Sequence, residues 1–187
     1  MLVLAYLLIF VGLGFKLALA PFHLWAPDVY QNAPTPVAGW IGSGSKIAAA
    51  ALLIALLKPV SSTLKDALIP ALAALAVLSM VVGNLGALRQ TNLKRLLAYS
   101  AIANAGYLLV GVVAFSAEGN TSVIFYVLVY SLASLGAFGV VAVLTDTLGR
   151  DAEISDFNGC WTKTPGLAVA FLVFVLSLAG IPPLAGF

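Results

Sequence analysis

Two lysines lie inside long apolar stretches of the sequence. Lys16 falls within residues 2–20, and Lys46 lies near the middle of residues 37–57. An ammonium group at bilayer depth costs about 2.5–3.5 kcal/mol on insertion scales, so it is retained where it faces water, a counter-charge or a bundle interior. A lysine amine can bind and release a proton, whereas arginine stays protonated. The two lysines therefore indicate an ion path through a membrane.

The spacing of these lysines fits two consecutive helices. Thirty residues separate Lys16 from Lys46, which allows one helix to leave the membrane core and a second to return to similar depth. Glycines and serines at residues 42–45 leave room for close packing or water beside Lys46. A phosphate-binding loop is excluded, because Ile47 stands where Ser or Thr is needed. The alternative for Lys16 is snorkelling, in which its amine reaches the membrane surface.

The composition is that of a membrane protein. Of the 187 residues, 62% are hydrophobic and 9% are charged, and the mean hydropathy is +1.09. The nine basic residues are scattered and the net charge is +2, which excludes a nucleic-acid-binding stripe. The single cysteine, Cys160, and the single histidine, His23, cannot supply the four ligands of an iron–sulfur cluster or of structural zinc. We therefore expect a lipid bilayer around the chain and no metal or redox cofactor within it.

The apolar stretches predict an all-α fold. Each approaches the roughly 20 residues that cross the hydrocarbon, and glycines, prolines and charges separate them. We expect one domain over residues 1–187, a polytopic transmembrane helical bundle. Its spans are expected at residues 2–20, 37–57, 67–88, 96–115, 123–144 and 167–187. The first span opens on apolar residues and has its lysine late, so it is expected to be a retained helix rather than a signal peptide.

Prolines interrupt the apolar pattern at two places. Pro21 precedes an amphipathic segment, residues 22–30, that is too short to cross alone, and Pro182-Pro183 interrupts the last apolar run. We expect a broken helix at each place. Backbone groups freed at membrane depth must be buried in protein or line a wet cavity, so carbonyls near Pro21 and Pro182 can support a water chain. A packing kink is the alternative.

The loops differ in basic residues, which predicts their sidedness. The first, third and fifth loops carry most of the basic residues: Arg89, Lys94, Arg95, Arg150 and Lys163. The second and fourth loops carry only Lys58 and Lys65. By the positive-inside rule the first set is cytoplasmic. We expect Lys94, at a helix entrance, to be a topology anchor rather than a proton carrier.

Four long strings carry a family resemblance. They are GFKLALAPFHLWAPDVY (14–30), APTPV (33–37), NLGALRQTNLKRLLAYS (84–100) and GIPPLAGF (180–187). Together they resemble the antiporter-like membrane subunits of respiratory complex I. The resemblance implies a proton-translocating subunit of NADH-quinone oxidoreductase in a bacterial inner membrane, with Lys16 and Lys46 as proton carriers. NADH, quinone, flavin and iron–sulfur clusters are implied only for other membrane and peripheral subunits, where the redox chemistry takes place.

This sequence departs from the family pattern at some positions. Many members have histidine where this chain has Asn104, which cannot titrate but can hold a water through its amide. A proton relay at this position would need water or a hydroxyl such as Tyr99 or Ser100. The glutamate that the family pairs with its first lysine, and a further lysine after the Gly-Ile-Pro-Pro element, do not occur in these residues.

Other candidates in the first loop have simpler interpretations. His23 can relay protons, because the reference pKa of histidine is near 6.5. Beside Trp25 and Tyr30, however, it fits an interfacial belt. Asp28 is expected in a solvated loop, where it can cap or pair locally.

The fifth loop and the fifth span contain further candidate residues. The charged segment 146–165 is interpreted either as a docking surface for neighbouring subunits or as a solvated loop. Tyr126, Tyr130 and Phe138 are expected to be core residues, because a quinone site needs more than aromatic residues at helical spacing.

Two alternative functions remain open. A subunit of a multi-subunit sodium/proton antiporter would share this scaffold and work without NADH or quinone. A structural membrane module would use its lysines only for pairing and packing. Co-purification with flavin and iron–sulfur subunits separates the first alternative, and proton pumping after substitution of Lys46 separates the second.

Overall fold

The computed structural model describes residues 2–60 and 62–186 and shows a bundle of α-helices. The helices are α1 (Leu2–Leu17), α2 (Trp25–Asn32), α3 (Thr35–Leu57), α4 (Ser62–Ala87), α5 (Leu93–Val113), α6 (Ala117–Leu148), α7 (Cys160–Lys163) and α8 (Pro165–Leu178). A 3₁₀ turn, Ile154–Phe157, precedes α7. The predicted all-α membrane bundle is confirmed. Met1 and Phe187, the first and last residues of the predicted domain, lie outside the described residues.

Helix length separates the membrane-crossing helices from the shorter ones. Among the described residues, α3, α4, α5 and α6 are long and apolar enough to cross a membrane. Helices α1 and α8 are apolar but have only 16 and 14 residues. Helix α6 has 32 residues, or about 48 Å at 1.5 Å per residue, and so extends beyond a hydrocarbon core of about 30 Å.

The ends of α6 explain why it is longer than the apolar run at residues 123–144. Ser116 caps its first turn, where the side-chain oxygen accepts a hydrogen bond from the Gly119 amide at 3.0 Å. Gly149 ends it with a φ of 66°, a left-handed conformation that glycine adopts without steric cost. Polar residues of the flanking loops therefore continue the helix on both sides of the apolar run.

Both predicted helix breaks are confirmed, and both are Schellman motifs that begin before the prolines. At the end of α1, Ala18 has a φ of 59°, and the Leu19 amide donates to the Gly14 carbonyl at 2.8 Å. At the end of α8, Gly180 has a φ of 69°, and the Ile181 amide donates to the Leu176 carbonyl at 3.1 Å. Ala18 holds a position that favours glycine, at a cost of about 1–2 kcal/mol.

Helices α5 and α6 lie at the centre of the bundle. Helix α6 contacts α3, α5 and α8, and α5 also contacts α2, α3 and α4. Two clusters of buried side chains form the core. One joins α1, α3, α4, α5 and part of α6 and includes Leu53 and Leu109. The other joins α2, the start of α3, α5, α6 and the following loop and includes Tyr30 and Phe138. Tyr126 of α6 packs against both clusters.

Candidate proton-transfer site

Lys46 is buried at the crossing of three helices. Its side chain projects from the middle of α3 and the residue is 2% exposed. Its Nζ donates a hydrogen bond to the carbonyl of Ala101 on α5 and lies 3.5 Å from the hydroxyl of Tyr130 on α6. The same nitrogen is 5.1 Å from the centroid of the Tyr130 ring, a cation–π distance. Among the described residues, the hydrogen-bond partners of this amine are therefore all neutral.

The small residues before Lys46 have separate roles. A Cβ at Gly42 would lie 3.4 Å from the Tyr30 ring and 3.5 Å from Ser134, which are ordinary van der Waals distances, so α2 and α6 pack against this part of α3 without requiring the glycine. The hydroxyls of Ser43 and Ser45 each donate to the carbonyl four residues earlier, at 2.7 Å. They satisfy their hydrogen bonds within α3.

Asn104 lies in a second polar group next to this site. The hydroxyl of Tyr126 donates to Asn104 Oδ1 at 2.6 Å. Asn104 Nδ2 donates to the Ser100 carbonyl at 2.8 Å and to Ser100 Oγ at 3.3 Å. Tyr126 and Tyr130 are four residues apart and so share one face of α6. Lys46 with Tyr130 and Tyr126 with Asn104 and Ser100 therefore form two polar groups on adjacent turns of α6, and these five residues together are called the polar line.

Two tyrosines of this line were expected only as core residues. Tyr130 is buried and Tyr126 is half-buried, so both belong to the core, as does Phe138. Their hydroxyls nevertheless contact Lys46 and Asn104. Their four-residue spacing in an apolar helix is the sequence feature that indicates this. Two phenols on one buried face of a helix each need a hydrogen-bond partner, and so predict polar groups nearby.

Tyr99 takes no part in this line. Its ring packs over Gly86 of α4, where a Cβ would collide with it. The structure therefore brings Ser100, rather than Tyr99, to Asn104.

Lys16 lies at the break rather than in the core. It occupies the last turn of α1 and is exposed. In the part of the chain that the structure describes, it forms neither a hydrogen bond nor an ion pair. The residue lies two positions before Ala18, where the break begins.

Side chains form hydrogen bonds with two of the backbone groups at the break after α1. The Ala20 amide donates to Ser79 Oγ at 2.9 Å, and the Trp25 indole nitrogen donates to the Phe15 carbonyl at 3.0 Å. Trp25 also stacks on the Phe15 ring with centroids 5.3 Å apart. At least one carbonyl near Pro21 is therefore bound by protein.

His23 and Tyr30 follow the break but have different surroundings. His23 is half-buried, and within the described residues its Nδ1 is buried without a hydrogen-bond partner. Tyr30 is 1% exposed and packs edge-on against Phe138, with centroids 5.9 Å apart. Tyr30 is therefore part of the core, because α2 folds inward onto α3 and α5. The interfacial belt proposed for His23 stays a prediction.

Asp28 also differs from expectation. It lies in the first turn of α2 rather than in a loop. Its Oδ1 accepts a hydrogen bond from Arg95 Nη1 at 2.6 Å, and the same nitrogen donates to Gln31 Oε1 at 3.0 Å. The contact joins α2 to the start of α5, so Asp28 pairs across the fold.

Lys94 is a second buried lysine with a different environment. It is 5% exposed and forms an ion pair with Asp151, with 2.7 Å between Nζ and Oδ1. It also lies 3.3 Å from the carbonyl of Ala33, to which it donates. The lysine therefore joins the start of α5 to the end of α2 and to the loop after α6.

The loop after α6 is folded against the bundle. Glu153 forms an isolated antiparallel bridge with Asn92, and Ala152 is fully buried. Arg150 holds the pKa of Asp156 below its usual value, first through a side-chain hydrogen bond, and the Glu153 amide reinforces this at 2.8 Å. Segment 146–165 is therefore not a plain solvated loop, because part of it packs on the start of α5.

Two cavities adjoin Tyr126. One, of about 840 Å³, lies between α5 and α6 and is lined by Tyr107, Glu118 and Tyr126. The other, of about 200 Å³, lies at the end of α8 and is lined by Tyr107, Tyr126 and Gly180. Residues 2–60 and 62–186 contain no cluster of three or more His, Cys, Asp or Glu side chains that would hold a metal ion.

Comparison with known proteins identifies relatives in respiratory and antiporter complexes. NADH-quinone oxidoreductase subunit N of Chloroflexus aggregans is 49% identical over 181 residues, which is 96% of this chain and 37% of the relative. The structure of respiratory complex I from Thermus thermophilus with bound aureothin contains a similar chain, with a TM-score of 0.78 and 45% identity over 94% of this chain and 38% of that one.

A third similarity is to an antiporter. The structure of the Mrp complex from Dietzia sp. DQ12-45-1b contains a chain with a TM-score of 0.87 and 25% identity, over 97% of this chain and 34% of that one. This chain thus spans less than two fifths of the length of these relatives. Residues 1–187 match the family described as NADH:quinone oxidoreductase/Mrp antiporter, transmembrane. The chain therefore belongs to the NADH:quinone oxidoreductase/Mrp antiporter transmembrane family.

Proposed function

We propose that this chain forms the central part of a proton-translocating membrane subunit, of the subunit N type, in a bacterial NADH-quinone oxidoreductase. The oxidation of NADH and the reduction of quinone take place in other membrane and peripheral subunits. This chain supplies groups that bind and release protons as those reactions proceed. The membrane is the bacterial inner membrane, with the first, third and fifth loops on the cytoplasmic side because they carry most of the basic residues.

The contrast between two buried lysines carries the proposal. Lys94 lies next to the carboxylate of Asp151, as expected for a lysine that fastens two parts of a fold. Lys46 is equally buried, but its hydrogen-bond partners among the described residues are the Ala101 carbonyl and the Tyr130 hydroxyl. Both partners are neutral oxygens that accept from an ammonium. An amine without a fixed counter-charge is suited to gaining and losing a proton.

The remaining candidates receive different roles. Lys16, exposed beside the break in α1, is proposed as the second proton carrier. Asn104 and Ser100 belong to the polar line that leads away from Lys46. Lys94 is assigned a structural role through its ion pair, and His23 is assigned no role in transfer.

Substitution of Lys46 tests this function. In the full-length subunit within its assembled complex, Lys46→Met removes the titrating group and Lys46→Arg keeps a charge that cannot cycle. Both should lower NADH-driven proton uptake into inverted membrane vesicles by about 100-fold or more, since positioned proton-transfer groups contribute roughly 10²–10⁴-fold. The matched control is Lys58→Met, at the exposed end of the same helix, which should pump normally. Normal uptake in Lys46→Met would favour a structural module instead.

A sodium/proton antiporter subunit is the second candidate, favoured by the TM-score of 0.87 with the Mrp complex chain. The two functions differ in their energy source. An NADH-quinone oxidoreductase subunit should co-purify with flavin and iron–sulfur proteins and should require NADH for proton uptake. An antiporter subunit should lack those partners and should exchange sodium for protons when a sodium gradient alone is imposed.

A further inference from the structure

Two tyrosine hydroxyls of α6 contact polar side chains of the candidate site. The Tyr130 hydroxyl lies 3.5 Å from Lys46 Nζ, and the Tyr126 hydroxyl donates to Asn104 Oδ1 at 2.6 Å. Four residues apart on α6, the two rings project from one face about one turn from each other. Lys46 and Asn104 thus each contact a different tyrosine of α6.

We propose that Tyr130 and Tyr126 relay protons between Lys46 and the cavity at the end of α8, with Asn104 as the positioning residue of Tyr126. This inference rests on the proposed function, because it assigns a route to the protons that Lys46 carries. It places a hydroxyl relay where position 104 offers an amide that cannot titrate.

The hydrogen bonds of Asn104 explain its positioning role. Its Nδ2 donates to the Ser100 carbonyl at 2.8 Å and to Ser100 Oγ at 3.3 Å. These bonds fix the amide so that Oδ1 faces the Tyr126 hydroxyl. The phenol is thereby held with its proton towards Asn104 and its oxygen lone pairs free to accept another proton.

A phenol can pass a proton and remain neutral. The oxygen of Tyr130 accepts a proton from the Lys46 ammonium while its own O–H proton leaves towards Tyr126, directly or through a water. Tyr126 repeats the exchange and turns its O–H from Asn104 to a water in the cavity. At each oxygen one O–H bond forms and one breaks, so the net result is the movement of one proton.

Tyr126 lies where the buried interior meets open space. Lys46 and Tyr130 are buried, whereas the half-buried Tyr126 packs against both core clusters and lines both cavities. The smaller cavity, about 200 Å³, is lined by Gly180 and its neighbours at the end of α8. That volume holds several waters, and the backbone groups at a helix end can bind them. A proton that leaves Tyr130 along this face of α6 therefore reaches the cavity through Tyr126.

Removal of single hydroxyls tests the relay. Tyr126→Phe and Tyr130→Phe keep the rings that pack in the core, so the amount of assembled complex should not change. Each should lower NADH-driven proton uptake by about tenfold or more. This is less than the roughly 10²–10⁴-fold effect of losing a positioned proton-transfer group, because water replaces part of the path. The matched control is Tyr99→Phe. The Tyr99 ring packs over Gly86 of α4 and lies outside the polar line, so uptake should stay normal.

Substitution of Asn104 separates positioning from packing. Asn104→Leu removes the acceptor of the Tyr126 hydroxyl and should lower proton uptake. The solvent deuterium isotope effect on uptake should rise, because proton transfer through Tyr126 then limits the rate. Asn104→Gln keeps both an acceptor oxygen and a donor nitrogen and should restore part of the rate. An unchanged isotope effect in Asn104→Leu contradicts the positioning role.

The outcomes distinguish the relay from the proposed function. Normal uptake in Tyr126→Phe, with Lys46→Met inactive, overturns the relay and leaves the lysine path intact. Normal uptake in Lys46→Met overturns the proposed function itself. If Tyr126→Phe does not assemble, a fluorinated tyrosine at position 126 keeps the hydroxyl and makes it more acidic. A change in the rate of proton uptake, at an unchanged amount of assembled complex, then supports the relay, and an unchanged rate overturns it.

Discussion

Ser79 and Ala20 are joined by a hydrogen bond that crosses the bundle. Ser79 is fully buried on α4, and its Oγ accepts from the Ala20 backbone amide at 2.9 Å. The same oxygen donates to the Leu75 carbonyl at 2.7 Å, so both functions of the hydroxyl are used. The break after α1 leaves the Ala20 amide without a helical acceptor, and Ser79 supplies one from a different helix.

Ser79→Ala should therefore destabilise the broken helix. The substitution leaves a buried N–H without an acceptor, which costs about 1–3 kcal/mol. The measurement is the thermal unfolding of the purified full-length subunit in its complex, together with the amount assembled in the membrane.

Ser122→Ala is the matched control for Ser79→Ala. Ser122 also bonds to the carbonyl four residues earlier, at 2.9 Å, but it lies on an exposed part of α6. Its loss should change stability by no more than about 0.5 kcal/mol. Equal stability of the two variants would show that the bond to Ala20 contributes nothing.

Local patterns were sufficient to predict much of the fold. Apolar runs predicted the membrane helices, because a bilayer demands long apolar stretches whatever their partners. Pro21 and Pro182 located the two breaks to within a few residues. The Schellman turn at Ala18 was not predictable, because that position normally favours glycine and the contacts that hold it come from distant residues.

The site was only partly predictable. Lys46 was identified because a charge in an apolar helix is costly and therefore conspicuous. Its partner Tyr130 is 84 residues away in sequence, and no local pattern fixes how α3 and α6 are rotated against each other. The pairing of Lys94 with Asp151, 57 positions later in the sequence, was missed for the same reason.

The ion pair of Lys94 with Asp151 should hold the loop after α6 against the start of α5. Asp151→Ala leaves Lys94 buried beside the Ala33 carbonyl alone. Loss of one partner of a fully buried pair costs about 3–5 kcal/mol. The Asp151 side chain is 42% exposed, so we expect a smaller loss of about 1–3 kcal/mol because water partly replaces it. The measurement is a double-mutant cycle of thermal stability with Lys94→Met.

The double-mutant cycle of Asp151→Ala with Lys94→Met isolates the energy of the ion pair. Asp151→Ala in the Lys94→Met background should cost little, because the charge left unpaired is gone. Arg150→Met, which removes an exposed pair with Asp156, should have little effect on stability. Equal costs of Asp151→Ala in both backgrounds would mean that the pair is energetically silent. Normal proton pumping in Lys94→Met would also separate this lysine from Lys46.

Gly83 sets the closest approach of α4 and α5. A Cβ added there would lie 2.5 Å from the backbone nitrogen of Ala103, and backbone cannot move aside as a flexible side chain can. Gly83→Ala should therefore push the two helices apart and cost about 1–3 kcal/mol, the usual penalty for overpacking. Because α5 carries Ala101 and Asn104, the displacement should also lower proton uptake in whatever complex still assembles.

Gly139→Ala is the control, since nothing lies within 4 Å of a Cβ there. It should be neutral or slightly stabilising, because alanine favours a helix by about 1 kcal/mol over glycine. Native gels and thermal unfolding decide the comparison, and a Gly83→Ala complex as abundant and as stable as the Gly139→Ala complex would show that α4 can retreat without loss.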